Sequence, residues 1–293
     1  MENNTDITNT IIGTINTIFE NLFSSIDGNL YKILDELVFV NKDVLSDKYF
    51  DKLFGVSSTN GILLIANSLI IGFLLYYAAK FLMSNFTYEK VENPMAFMFK
   101  CIIFGICMHS SFFLIEQILN LNFNISELIR TLVYDLFGKN ISFSELINEI
   151  NGNLDVDTSI DIFTLDGLIK GTLTVSLLNL VFSYSLRYVM IKILVLLSPF
   201  AFLSLSLENT AHFFKSWYRS LFSLLFVQIL VAIVLLLLFS MDYSKGNLIN
   251  KFIYIGGIYS LIRANSIVRE LFGGISTNVQ TGMSNLKLFK GVN

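Results

Sequence analysis

A chain of 293 residues with 54% hydrophobic and only 15% charged side chains is not composed like a soluble domain, which carries about 25% charged residues. A mean hydropathy of +0.64 points the same way. The formal net charge of −3 excludes a global basic field for nucleic acid, so any such contact must be local.

The first segment, 1–60, opens Met-Glu-Asn-Asn-Thr-Asp. It lacks the basic start and immediate apolar core of a secretory signal, so insertion is expected to use internal spans. From Ile11 to Ile26 the apolar positions fall at helical spacing, with Asn16, Thr17, Glu20 and Asn21 opposite. A second amphipathic piece follows around Leu30–Val40. The polar face of the first helix has no Lys or Arg, which favours packing on partners or on the chain's own body over lying on anionic lipid.

Residues 61–119 hold two expected spans, Gly61–Met83 and Ala96–Leu119. At ~1.5 Å per residue each is long enough for a ~30 Å hydrocarbon core. Tyr76, Tyr77 and Lys80 end the first as an interfacial belt, and Lys100 can snorkel at the start of the second. Cys101 and Cys107 read as packed hydrophobes; with His109 they make three candidates without zinc spacing.

Residues 120–167 form an acidic loop, expected to be extracytoplasmic. Leu128, Leu132, Leu136, Ile141, Leu146 and Ile150 suggest short helices in a small cap, and Leu154–Phe163 reads as a brief extended segment. Asp155, Asp157, Ser159, Asp161 and Asp166 have the spacing of a calcium loop. The required sixth-position glycine is Ile160, and an acidic solvated strand is favoured.

The transmembrane core, 168–268, begins with spans at Leu168–Tyr184 and Tyr188–Leu207. Only Ser185, Leu186 and Arg187 separate them, as a tight hairpin or as one long kinked helix. Pro199 removes a backbone donor and should disturb the turn before it, a kink in preference to a gate. Glu208–Trp217 reads as a hinge, followed by the charge-free span Ser220–Met241 with Gln228 its only amide. Phe252–Ile267, with Gly256-Gly257 inside, is a weaker candidate, and the tail is 269–293.

The fold class is therefore all-α, a polytopic membrane protein with about five transmembrane helices, six if 252–267 also crosses. Five spans give an N-terminus outside and a C-terminus inside. The cytoplasmic side then collects a small majority of the 20 Lys and Arg, Arg187, Lys192, Arg263, Lys287 and Lys290 among them. Heavy use of Asn, Ile, Lys and Phe with two prolines is the bias of an AT-rich bacterial genome.

Among single residues, Lys192 inside its span would cost about 2.5–3.5 kcal/mol facing lipid at mid-depth. Snorkelling is favoured, with pairing to Glu116 or a polar lumen as alternatives. Arg187 reads as an interfacial anchor before a contact to a translocating phosphate backbone. Trp217, with Tyr218 and Arg219, reads as an interfacial belt before a partner contact. Gly273-Gly274 is not a phosphate loop, since no Gly-Lys-Ser/Thr follows. The His-Glu-x-x-His pattern is absent and no serine or cysteine has an activating partner, so no catalytic residue, cofactor site or metal site is expected.

The run Arg187-Tyr-Val-Met-Ile-Lys-Ile-Leu-Val-Leu-Leu-Ser-Pro-Phe-Ala-Phe202 leads through Leu203-Ser-Leu-Ser-Leu-Glu208 to Phe213-Phe-Lys-Ser-Trp217 and a long apolar helix. This resembles the TrbL-like polytopic channel subunit of type IV secretion and conjugation machines, as does the tail Ile262-Arg-Ala-Asn-Ser-Ile-Val-Arg-Glu-Leu-Phe-Gly-Gly274. The match covers at most about a third of the chain. Its central loop is short for the family, and an extended C-terminal domain is missing.

The resemblance implies Arg187, Lys192, Pro199, Lys215, Trp217, Arg263, Gly273 and Gly274 as structural or transport candidates. It also implies a non-catalytic channel or scaffold subunit in the cytoplasmic membrane, supporting DNA and protein transfer. Its partners would be other channel subunits, cytoplasmic ATPases, membrane lipids, further copies of itself and, transiently, transferred DNA. The rival reading is a membrane subunit of a small-solute transporter or permease, a class marked by inverted repeats and broken helices. No internal repeat is evident.

Overall fold

The computed structural model describes residues 10–18, 29–55, 61–87, 90–138, 140–146, 165–240 and 248–273, and every regular element among them is helical. Helix α1, residues 10–18, has no buried residue. Helix α2 (Asn29–Val38) packs on the body of the chain through Leu34 and Val38, both fully buried, as expected for the second amphipathic piece. A 3₁₀ turn (Lys42–Leu45) and α3 (Lys48–Phe54) follow, each started by a side-chain cap. Asn41 accepts from Asp43 N at 2.8 Å, and Asp47 accepts from Tyr49 N at 3.0 Å. Gly55, at φ +99°, ends α3 in the left-handed region.

Helix α4 (Ile62–Thr87) matches the first expected span, and Ala66 is its one buried residue. The second expected span is broken. Helix α5 (Pro94–His109) begins with Asn93 as cap and Pro94 in its first turn, then meets α6 (Ser111–Phe137) at a 57° bend. At the bend Ser110 Oγ donates back to Ile106 O at 3.0 Å, competing with the backbone ladder. Because α6 runs on to Phe137, Leu128, Leu132 and Leu136 belong to it and face outward, and do not form the expected cap core. Ile141 and Leu146 are buried as expected, while Ile150, the extended segment 154–163 and the calcium-like spacing lie outside the described residues or their described side chains.

The two spans separated by Ser185, Leu186 and Arg187 are one helix, α7 (Leu165–Leu196), about 48 Å long. The hairpin is thereby corrected to the long-helix alternative, and among the described residues three helices are long and apolar enough to cross a membrane, four if the bent α5–α6 pair is one span. The break falls at Leu197, two residues before Pro199, which occupies the first turn of α8 (Ser198–Leu203). A 3₁₀ turn (Ser204–Ser206) completes a stretch, 194–207, in which no residue is exposed. α8 touches α4, α5, α6, α7 and α9.

Helix α9 (Ala211–Phe239) starts earlier than expected, so Phe213–Trp217 forms its first turns and the true link is 207–210. Thr210 Oγ1 ties that link, donating to Ser204 O at 2.7 Å. α9 is the central helix, packed against α6, α7, α8 and α10 (Leu248–Phe272). The weak sixth segment is thus a full helix lying along α9, though not among those apolar enough to span. Gly257 permits that approach, since a Cβ there would stand 2.3 Å from Leu238 Cδ2.

Candidate functional site around Arg187 and the Pro199 turn

Arg187 is fully buried, the largest of the fully buried side chains among the described residues. Among the described residues no carboxylate pairs with it. Its Nε donates to Leu224 O at 2.7 Å, and Nη1 donates to Val38 O at 2.9 Å and more weakly to Leu37 O at 3.3 Å. Leu37 and Val38 close α2, so the cation sits at the negative end of a helix dipole, on carbonyls that lack intrahelical donors. Nη2 has no partner among the described residues. Arg187 therefore does not anchor at an interface; it joins α2, α7 and α9 from inside.

Polar side chains continue this layer. One turn before Arg187, Tyr184 OH donates to Leu261 O at 3.1 Å, and Ser183 Oγ accepts from Asn265 Nδ2 at 2.7 Å, tying α7 to α10. One turn beyond Leu224, Gln228 accepts from Asn122 Nδ2 at 3.1 Å and donates to Ser126 Oγ at 2.8 Å, tying α9 to α6. Each bond satisfies a polar group that apolar surroundings would otherwise leave costly.

Lys192 faces Asp47 Oδ2 at 3.9 Å and lies over the rings of Tyr188 (5.3 Å) and Phe50 (5.6 Å). Its partner is Asp47 and not Glu116. Arg187 and Lys192 both meet the segment preceding α4, so counting them on the opposite side from residues 29–55 does not hold. Trp217 is also corrected: at 4% exposure it is core, donating to Leu194 O at 2.7 Å and packing on Phe202 and Phe214. Tyr218 and Arg219 stay exposed.

Pro199 is buried at the start of α8. Lys215 and Arg263 are exposed, the latter over the Tyr259 ring at 5.3 Å. Gly273, at φ +66°, ends α10 where a Cβ would approach Arg219 Cδ to 3.2 Å, and Gly274 lies outside the described residues. The fold thus gathers Arg187, Lys192, Pro199 and Trp217 and leaves Lys215 and Arg263 apart. Sequence reasoning missed Asn122, Ser126, Ser183 and Asn265; lone polar side chains at i, i+4 in apolar helices were the available signal.

At the edge of this layer Asp35 accepts from Phe143 N at 3.0 Å. Burial pushes its carboxyl up to about 6, against the lowering effects of that bond and of Arg130. Among the described residues no group of three or more His, Cys, Asp or Glu could hold a metal. The arrangement clamps helices together.

The fold defines an all-helical, multi-pass membrane protein. No family model, curated protein or solved structure matches the chain.

Proposed function

We propose that the chain is a non-catalytic channel or scaffold subunit of a conjugative type IV secretion apparatus in the bacterial cytoplasmic membrane, of the TrbL-like kind. One observation carries the reading. The run that resembles the family, from Arg187 to Trp217, is also the run about which the helices are assembled, through Arg187, the α8 turn and Trp217. A family held together by such positions is one whose members share a brace. Other channel subunits, cytoplasmic ATPases and further copies of the chain are its partners, and DNA in transit touches it only locally. The permease reading is weaker because the interior amides and Arg187 are bonded to neighbouring helices and do not face a solute.

The orientation we propose remains N-terminus outside and C-terminus inside, which requires α10, packed along α9, to serve as the fifth crossing although it is less apolar than the other four. Taking α7–α8 as a single crossing moves the 207–210 link to the cytoplasmic side. It lines one cleft with the α4–α5 turn, beside Lys80 and Lys90, and the positive-inside rule favours that side for both. Modifying Ser142→Cys with an impermeant maleimide tests this. Labelling in intact cells is expected, and labelling only after permeabilisation overturns it. For the function, deletion of the gene from a competent donor is expected to abolish element transfer. Undiminished transfer refutes the secretion role.

A further inference from the structure

Between the C-terminal half of α4, the start of α5 and the 206–209 link lies a cleft of about 110 Å³. That is far below the ~300–1,000 Å³ of a drug-sized pocket, and suits one small polar group. Tyr77 forms one wall, stacked on Phe97 at 4.0 Å and donating to Glu92 O at 2.5 Å. The Glu92 carboxylate is occupied by Lys100 at 2.5 Å. Lys80 and Lys90 line the cleft with no ion pair to a carboxylate among the described residues. Ser206 lines it too: it is 1% exposed, and among the described residues its hydroxyl meets only the Cys101 thiol, a poor acceptor, and makes no regular hydrogen bond. A buried hydroxyl left unsatisfied is costly, and a strong acceptor in the cleft would relieve it. The cleft adjoins the outward face of α4, where Leu75, Leu82, Met83 and Phe86 are all more than half exposed.

We propose that this cleft binds the phosphate of an anionic glycerophospholipid. Lys80 and Lys90 supply the charge, Ser206 donates from the floor, and the acyl chains lie along α4. Two cations without a carboxylate partner among the described residues, a buried hydroxyl lacking a strong acceptor and a contiguous lipid-facing surface favour a lipid phosphate over a soluble one. Glu208, exposed at the rim, opposes the anion and sets a limit on its charge. This inference needs only a membrane chain and stands apart from the secretion role.

Native mass spectrometry of the full-length protein in detergent, titrated with phosphatidylglycerol, phosphatidylcholine or inorganic phosphate, tests it. Phosphatidylglycerol is expected to bind best. Lys80→Gln or Lys90→Gln should each weaken it about fivefold and the pair about thirtyfold. Lys32→Gln, an exposed lysine on α2 away from the cleft, should leave binding unchanged. Ser206→Ala should weaken binding without lowering thermal stability, and Glu208→Gln should tighten it. Equal binding of phosphatidylcholine, an unchanged double variant, or a matching loss in Lys32→Gln overturns the proposal. Phosphate binding without lipid binding overturns it in favour of a soluble ion. Weaker binding in Glu208→Gln overturns the anionic preference in favour of an ethanolamine head.

Discussion

Replacing Arg187 by Met asks what holds α2 to the bundle. The side chain is fully buried, so the change nearly conserves volume while removing the charge and its donors. A hydrogen bond from an ionised donor contributes about 1.5–3 kcal/mol; the 2.9 Å bond to Val38 O counts in full and the 3.3 Å bond to Leu37 O for less. The helix-end dipole adds up to ~2 kcal/mol in a partly buried setting. Desolvating a guanidinium without a carboxylate takes back several kcal/mol. Leu224 O sits inside α9 and does not depend on Arg187, so the loss falls on α2 alone. The net is a loosening of α2 by about 2 kcal/mol, roughly thirtyfold in its docked-to-undocked ratio. Hydrogen exchange read by mass spectrometry over residues 34–39 measures it, since Phe39 N is bonded to Asp35 O at 2.9 Å. Exchange there should rise about thirtyfold in Arg187→Met, with α9 unchanged. Exchange equal to or slower than in the wild type refutes the reasoning, because desolvation would then outweigh the carbonyl bonds. Arg187→Lys should also loosen α2, as one ammonium cannot span Val38 O and Leu224 O together.

Gln228→Leu breaks two bonds to α6 and should lower stability by about 1–2 kcal/mol; adding Asn122→Leu should cost less than the sum of the singles in detergent melts, and full additivity would show the residues uncoupled. Gly257→Ala places a Cβ 2.3 Å from Leu238 Cδ2 and should destabilise by about 1–3 kcal/mol, with Leu238→Ala restoring part of the loss if the clash is the cause. Asp35 holds its proton more tightly folded than unfolded. Its contribution is therefore fully present below the ordinary value of 3.8 and lost as pH rises through about 6, at no more than about 1.4 kcal/mol per pH unit. Melting curves from pH 4 to 7 should fall more steeply for the wild type than for Asp35→Asn, and parallel curves would contradict the assignment.

The apolar runs were legible: Gly61–Met83 became α4 and Ser220–Met241 most of α9, because length and hydropathy decide them locally. The choice between a hairpin and one long helix at Ser185-Leu186-Arg187 was left open by the sequence, and the five-span count rested on the hairpin; the absence of Gly or Pro there is what lets the helix run through. The role of Arg187 was not legible. Its acceptors are main-chain carbonyls of residues 37, 38 and 224, and no side chain advertises a carbonyl. Trp217 was misread for a related reason. Trp-Tyr-Arg reads as a belt in one dimension, but a helix turns about 100° per residue, which points Trp217 inward and Tyr218 and Arg219 out.

The contacts of Arg187 also impose an order on biogenesis. Two of its acceptors belong to α2, synthesised about 150 residues earlier, while Leu224 emerges 37 residues later. When α7 leaves the ribosome, a guanidinium facing the bilayer can therefore be met first by α2 alone. The N-terminal segment then serves the nascent chain as an internal chaperone for the one fully buried cation among the described residues, and is retained afterwards as part of the wall.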